Sequence, residues 1–264
     1  MSAVDDASAN FVEFASQIQA SIRVAARRGR DHERIGPFLA TFNRGDDNPY
    51  LNYAIPDDGA APSPAEVDGL VAAYRKRNRR PRLEYIPLLA PNVEPTLVRA
   101  GFSVERRTPL MTCTEAASVR EVVAAGISLV APASEDDYRA AASVQWEAYE
   151  EEGDVPQRTV DALRRTVEAG GVVVLARDLE TGQPAGAGLC TAPEDGLTEL
   201  SSVGVRAPFR RRGIAAAMTS WLTEHAFANG VSCVFLMAHA EPEARIYARA
   251  GFMRRSEVLH ISRA

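Results

Sequence analysis

The stretch Val203-Gly204-Val205-Arg206-Ala207-Pro208-Phe209-Arg210-Arg211-Arg212-Gly213-Ile214-Ala215 constrains this chain more than any other. It begins as an apolar, β-branched strand end, turns through Ala207-Pro208 and enters a helical pattern running to about Asn229. Ile214, Met218, Leu222 and Ala226 recur every fourth residue, so one helix face can lie on a sheet, with Trp221 at its flank. Three arginines and a glycine stand where the helix starts, although its unpaired N–H groups already make that end positive. The arrangement is unfavourable unless an anion arrives. Successive N–H groups at a Gly-containing turn, backed by arginine, fit a phosphate or pyrophosphate.

With those residues in view, the sequence resembles the acyl-CoA-dependent GNAT N-acetyltransferases. Their signature, Gln/Arg-x-x-Gly-x-Gly/Ala after a Val-x-Val strand, stands here as Arg210-Arg211-Arg212-Gly213-Ile214-Ala215 after Val203-Gly204-Val205. The resemblance implies an α+β fold, a mixed, mostly antiparallel twisted sheet flanked by helices. It implies that acetyl-CoA is the co-substrate, its pyrophosphate held by N–H groups of Arg211 to Ala215. It also implies that the Val203–Val205 backbone pairs with pantetheine beside a splay in the sheet.

Composition sets the outer bounds. A chain of 264 residues can hold one large or two modest domains, and 46% hydrophobic with 25% charged residues is globular. The net charge of -5 gives no reason to expect a nucleic-acid partner. Lys76 is the single lysine against many arginines, so the run Arg75-Lys76-Arg77-Asn78-Arg79-Arg80 reads as a solvated helix end. Cys113, Cys190 and Cys233 lack metal or disulfide spacing, and no metal site is expected. No apolar run reaches membrane-spanning length, and the acidic Met1–Asp6 start is wrong for a signal peptide. A cytoplasmic enzyme without a membrane partner is the expectation, with monomer or homodimer left open.

The first half predicts a helix within residues 1–32 and strands over 36–42 and 50–55. It continues with a helix capped by Ser63 with Pro64 first, a strand at 82–86, a short helix at Val93–Arg99 and a strand pair after Gly101. Arg99-Ala100-Gly101-Phe102 recurs as Arg249-Ala250-Gly251-Phe252, each after the same order of elements, which points to duplication. The first copy departs from the resembled pattern: nothing between Ile55 and Val71 matches Arg-x-x-Gly-x-Ala, and Leu97 stands where the second copy has Tyr247. Residues 1–112 are therefore expected to be a degenerate GNAT-like half, structural or substrate-shaping. Residues 113–126 are expected to be a linker, with a short helix carrying Val119, Val122 and Val123, and residues 127–264 the catalytic domain.

That second part predicts a strand at Ile127–Val130 and a helix from Ser134 to Glu151 opened by a Ser134–Asp137 capping box. A second helix at Pro156–Ala169 and three strands up to Val205 follow. The acidic run Glu147 to Asp154 reads as a solvated helix end; by the resemblance it would line the acceptor mouth and attract a cationic amine. His225 and His239 lack ligand spacing and read as structural or surface groups.

The resemblance also implies the proton carriers. Glu199 matches the place where some GNAT enzymes, notably histone-type ones, keep a general base. Tyr247 matches the tyrosine whose hydroxyl protonates the leaving thiolate, while the usual upstream asparagine falls at Glu241. By strand alternation Glu199, Ser201, Val203 and Val205 should share one side. The expected activity is acetyl transfer to a primary amine of a small molecule or peptide, by direct attack. O-acyl transfer and a non-catalytic acyl-CoA sensor stand as alternatives.

Overall fold

The computed structural model of the chain describes residues 3–118 and 122–264. They divide into two compact units, Met1–Pro109 with Ser256–Ala264, and Leu110–Arg255.

The first unit opens with α1 (Ala3–Arg27), β1 (Arg30–Ile35), β2 (Phe38–Asn43) and β3 (Ala54–Pro56). The β1 strand, Arg-Asp-His-Glu-Arg-Ile, is missing from the sequence expectation because it has too few apolar side chains to show a pattern. Next come α2 (Pro64–Lys76), β4 (Arg82–Tyr85), α3 (Val93–Arg99) and β5 (Ser103–Thr114). The expected strand pair after Gly101 is one long strand, whose last five residues, from Leu110, count with the second unit. The strand order is β1-β2-β3-β4, then β11 (Met253–Ser262), then β5. Only β3 and β4 run parallel among its recorded pairs, matched at Ala54 and Leu83.

Helix α2 is bounded as its sequence dictates. The Ser63 side chain accepts from Glu66 N–H and the Glu66 carboxylate accepts from Ser63 N–H, with Pro64 at the first turn. Its Val67, Leu70, Val71 and Tyr74 are buried. At the far side lies a buried polar group. Arg82, fully enclosed, donates to Glu84 and to Glu105 Oε2 at 3.0 Å, and its Nη2 lies 3.0 Å from His260 Nδ1. His260 Nε2 is 2.9 Å from Thr108 Oγ1, which in turn donates to the Val258 carbonyl at 3.4 Å.

The second unit begins at the end of β5 and continues through a 3₁₀ turn, Glu115–Ala117, where a short helix was expected. Val122 packs on the core and Val123 is exposed, while Val119 lies outside the described residues. Then follow β6 (Ile127–Val130), α4 (Glu135–Ala148), α5 (Gln157–Glu168), β7 (Val172–Asp178), β8 (Pro184–Cys190) and β9 (Leu197–Val205). The unit closes with α6 (Ile214–Ala228), β10 (Cys233–Met237) and α7 (Glu241–Arg249) before β11. Strand order is β5-β10-β9-β8-β7-β6, antiparallel in every recorded pair except β9–β10.

Alternation along β7 divides its two cores. Val172, Val174 and Ala176 pack with α6, and Val173 and Leu175 with α4 and α5. On α6 the four residues expected to face the sheet, Ile214, Met218, Leu222 and Ala226, are all buried. Gly186 and Gly188 of β8 let α6 approach, since a Cβ would stand 2.9 Å from Met218 Cε and 3.2 Å from Leu222 Cδ1 respectively. The Ser134–Asp137 capping box forms as expected. No described helix is long and apolar enough to cross a membrane.

Candidate active site

The parallel pairing of β9 with β10 covers Leu197, Thr198 and Glu199, opposite Cys233, Val234 and Phe235. Beyond Glu199 no pair between the two strands is recorded, although β9 continues to Val205 and stays paired with β8. The strand therefore leaves β10, and on that side no β10 residue claims its backbone groups, although side chains reach the Ser202 and Val205 carbonyls. An edge left by its neighbour strand is where an extended ligand can add itself as a strand.

A β-bulge shapes this free length. The register with β8 shifts between Ala187 and Leu189, and Ser202 takes a left-handed backbone, φ 55°. The extra residue corrects the expected alternation. Leu200, Val203 and Val205 all pack on the α6 core, so Glu199 and Ser201 lie on the other face. Gly204 follows them there, and a Cβ on it would stand 2.6 Å from the Cβ of Ala148 in α4. The glycine of Val-Gly-Val thus permits helix–strand packing, a reason the sequence alone did not supply. Gln145 Nε2 of α4 donates to the Ser202 carbonyl at 3.1 Å and holds the bulge.

After β9, Arg206 N–H closes on Ala185 O at 2.9 Å, and its guanidinium reaches Pro184 O and Glu147. The three arginines of the turn then diverge. Arg210 Nε donates to the Val205 carbonyl at 3.1 Å. Arg211 is exposed and left-handed, φ 65°. Arg212 Nη2 pairs with Asp178 Oδ2 at 2.9 Å, with its guanidinium over the Phe209 ring. Gly213 caps α6 with φ 78° and no side-chain cap bond. The first bond into the helix is Ala217 N–H to Gly213 O; for the N–H groups of Arg211 to Ala216 no backbone acceptor is recorded among the described residues. A Cβ on Gly213 would meet nothing within 4 Å. An open helix end, uncapped and flanked by arginine, is a fit for a pyrophosphate.

Two tyrosines and two glutamates gather near the free length of β9. Tyr247 of α7 packs edge-on to Phe252 with ring centroids 6.1 Å apart. Burial, with the charge of Glu243 and the neighbouring Tyr149, pushes its hydroxyl well above the usual tyrosine range. Tyr149, just past α4, hydrogen-bonds Ser202. Its residue surface is more than half exposed, yet protein surrounds the hydroxyl, and that desolvation with Glu243 and Glu199 raises its pKa. Glu243 accepts from His239 N–H at 2.9 Å. Tyr149, Ser202 and Glu243 escape a sequence reading because a bulge and two helix ends, far apart in the chain, bring them to Glu199 and Tyr247. Glu241, at the asparagine position of the resembled pattern, is exposed and pairs with Arg254.

The acidic run after α4 is partly neutralised, since Glu147 pairs with Arg206 at 2.7 Å. The three cysteines are buried and unbridged, and burial raises the Cys113 and Cys233 thiols to about 11 and Cys190 further. His225 stacks on Trp221 at 3.5 Å. No group of side chains suited to a metal ion occurs among the described residues.

Residues 137–252 match the family described as Acetyltransferase (GNAT) family. Similar solved structures include a GCN5-related N-acetyltransferase from Kribbella flavida, 25% identical over 94% of this chain and 95% of that one, TM-score 0.78. A GCN5-related N-acetyltransferase from Sphaerobacter thermophilus is 19% identical over 86% and 76%, TM-score 0.65. A tandem GNAT protein from the clavulanic acid biosynthesis pathway is 14% identical over 85% and 77%, TM-score 0.63. Among curated proteins, none matches significantly.

Proposed function

We propose that this chain, whose residues 137–252 match the family described as Acetyltransferase (GNAT) family, moves an acetyl group from acetyl-CoA to a primary amine. Acetyl-CoA-dependent acyl transfer is the general chemistry of that family. An amine of a small molecule or peptide, attacking directly in a ternary complex, is the acceptor the site supports best. The observation that carries this reading is the release of β9 from β10 after the Glu199–Phe235 pair, next to the uncapped start of α6.

In this reading Arg210, Arg211, Arg212, Gly213, Ile214 and Ala215 hold the pyrophosphate, chiefly through backbone N–H groups. The open space over Gly213 supports that fit. Val203, Gly204 and Val205 offer the strand edge to the pantetheine amides. Bound acetyl-CoA supplies an activated thioester. Glu199, half-buried on the α4 face, takes the proton of the incoming ammonium, directly or through water. Tyr247, kept protonated by burial, gives a proton to the leaving sulfur. The acids around both hydroxyls, Glu199 and Glu243, favour a cationic acceptor.

We also read the first unit as a diverged copy. The order α2-β4-α3-β5 repeats as α6-β10-α7-β11, and Gly101 and Gly251 close α3 and α7 with φ 84° and 94°. Its role is structural or substrate-shaping.

The test is thiol release from acetyl-CoA across a panel of amines and matched alcohols. Release with amines alone is expected, and Glu199→Gln should flatten the rising acid limb of the pH–rate profile. Binding of acetyl-CoA without release to any acceptor would identify a sensor instead.

A further inference from the structure

The first unit repeats the geometry that precedes α6. Strands β3 and β4 run parallel and are matched at Ala54 and Leu83, a turn follows β3, and α2 begins after it. In the second unit the corresponding strand edge and helix start are open. In the first they are filled from within the chain.

The filler is α1. Gln19 is fully buried, and its carboxamide spans the place between β4 and the turn: Oε1 accepts from Ile86 N–H at 2.7 Å, and Nε2 donates to Asp58 Oδ1 at 2.8 Å. Arg23 Nη2 donates to the Pro56 carbonyl at 2.6 Å and to Asp58 Oδ1 at 2.5 Å. Ser16 Oγ donates to Asp58 Oδ2 at 2.5 Å. One helix therefore consumes the last carbonyl of β3, the first N–H beyond β4 and both oxygens of a turn carboxylate.

The turn is closed as well. Asp57 N–H bonds Pro37 O at 2.8 Å, Gly59 N–H bonds Leu89 O at 2.7 Å, and the Ser63–Glu66 box caps α2. Its charge is reversed, with Asp57 and Asp58 where the second unit carries Arg210, Arg211 and Arg212. The arginines at this turn, Arg34 and Arg23, are paired with Asp57 and Asp58, so their charge is already taken up within the chain.

We infer that α1 is the built-in occupant of the first unit's acyl-CoA position, its Gln19 carboxamide standing where a ligand amide would lie, so that the chain takes one acyl-CoA. The inference rests on the reading of the second unit's β9–turn–α6 as the cofactor site only for the correspondence of positions.

Two measurements test it. Native mass spectrometry of the full chain with CoA should show one equivalent bound, with its apparent affinity at least tenfold weaker in Gly213→Val. A second equivalent, or one bound as tightly in Gly213→Val as in the wild type, would overturn the inference. Separately, amide hydrogen exchange at Ile86 should quicken at least tenfold in Gln19→Met, which keeps size and removes the acceptor, since a buried amide loses its partner. Ser16→Ala should quicken it less. Unchanged exchange at Ile86 in Gln19→Met overturns α1 as the occupant. If the wild-type chain bound no CoA, the reading of the second unit would fail, and the exchange result would still decide the role of α1.

Discussion

Phe235 is the last residue of β10 matched to β9, and its partner there is Glu199. The acid therefore sits at the fork where the two strands part, with the bulge at Ser202 three residues further on. A carboxylate at that point is half-buried yet beside the only stretch of β9 that no β10 residue covers, among the described pairs. That placement supports the role proposed for Glu199 as base, while the bulge sets it on the face opposite Val203 and Val205.

Gly213→Val should weaken CoA binding at least tenfold, or about 1.4 kcal/mol. No protein atom opposes a Cβ there, so the loss would come from the ligand approach and from the left-handed backbone, φ 78°. Calorimetric titration measures the first, and a urea midpoint reports the second. Unchanged affinity would place the cofactor elsewhere.

Tyr247→Phe should lower turnover at least tenfold while acetyl-CoA affinity stays near wild type, because only the hydroxyl is lost. The raised pKa of Tyr247 keeps that hydroxyl protonated beyond the ordinary tyrosine range near 10. Its deprotonation should therefore add no alkaline limb to the pH–rate profile below that range. Wild-type turnover in the Phe variant would leave solvent as the donor.

The repeated Arg-Ala-Gly-Phe turns should respond unequally to the same change. Both glycines are left-handed, so Gly101→Ala costs about 1 kcal/mol from backbone strain, its nearest neighbour being Arg263 Nε at 3.7 Å. At Gly251 the new Cβ would stand 2.1 Å from the Ala117 carbonyl oxygen, and the loss should be at least about 3 kcal/mol. Urea midpoints of the two variants compare them directly; equal losses would contradict the packing at Gly251.

Glu84 gives the first unit an acid limit. Burial alone would raise its pKa, but His260 and Arg82 hold it down to about 2. The folded value lies below the unfolded one near 4.3, so its contribution is complete above about pH 4.3 and lost as pH falls toward 2. Glu84→Gln should destabilise at neutral pH by about 3 kcal/mol, the low end for a broken buried pair because Glu105 still faces Arg82. It should also remove part of the acid-side decline in urea stability. An unaltered pH dependence would sink this assignment.

Much of the fold was legible in the chain because local rules suffice for it. The four-residue spacing on α6 and the Ser63 and Ser134 caps are near-neighbour effects, and each element forms where they place it. The Arg-x-x-Gly-x-Ala turn was legible for the same reason: a glycine and an uncapped helix start are local facts. What the sequence could not show depends on residues distant in the chain. The polar strand β1 exists because β2 pairs with it, over Arg30–Asn43 to Ile35–Phe38, and not because of its own pattern. The single bulge at Ser202 reverses the faces of everything after it, since a strand's side chains alternate with period two and one extra residue exchanges them. Arg212 reads as a cofactor ligand in the motif, yet its partner Asp178 lies 34 residues earlier at the end of β7. Gln19, one polar residue on an amphipathic helix, became the core of a closed cleft only when folding brought it to Ile86, 67 residues on, and to Asp58. Sequence determined the elements and the uncapped Arg-x-x-Gly-x-Ala turn; tertiary structure decided which of two similar turns stays open, because hydrogen-bond partners are assigned by packing across the chain.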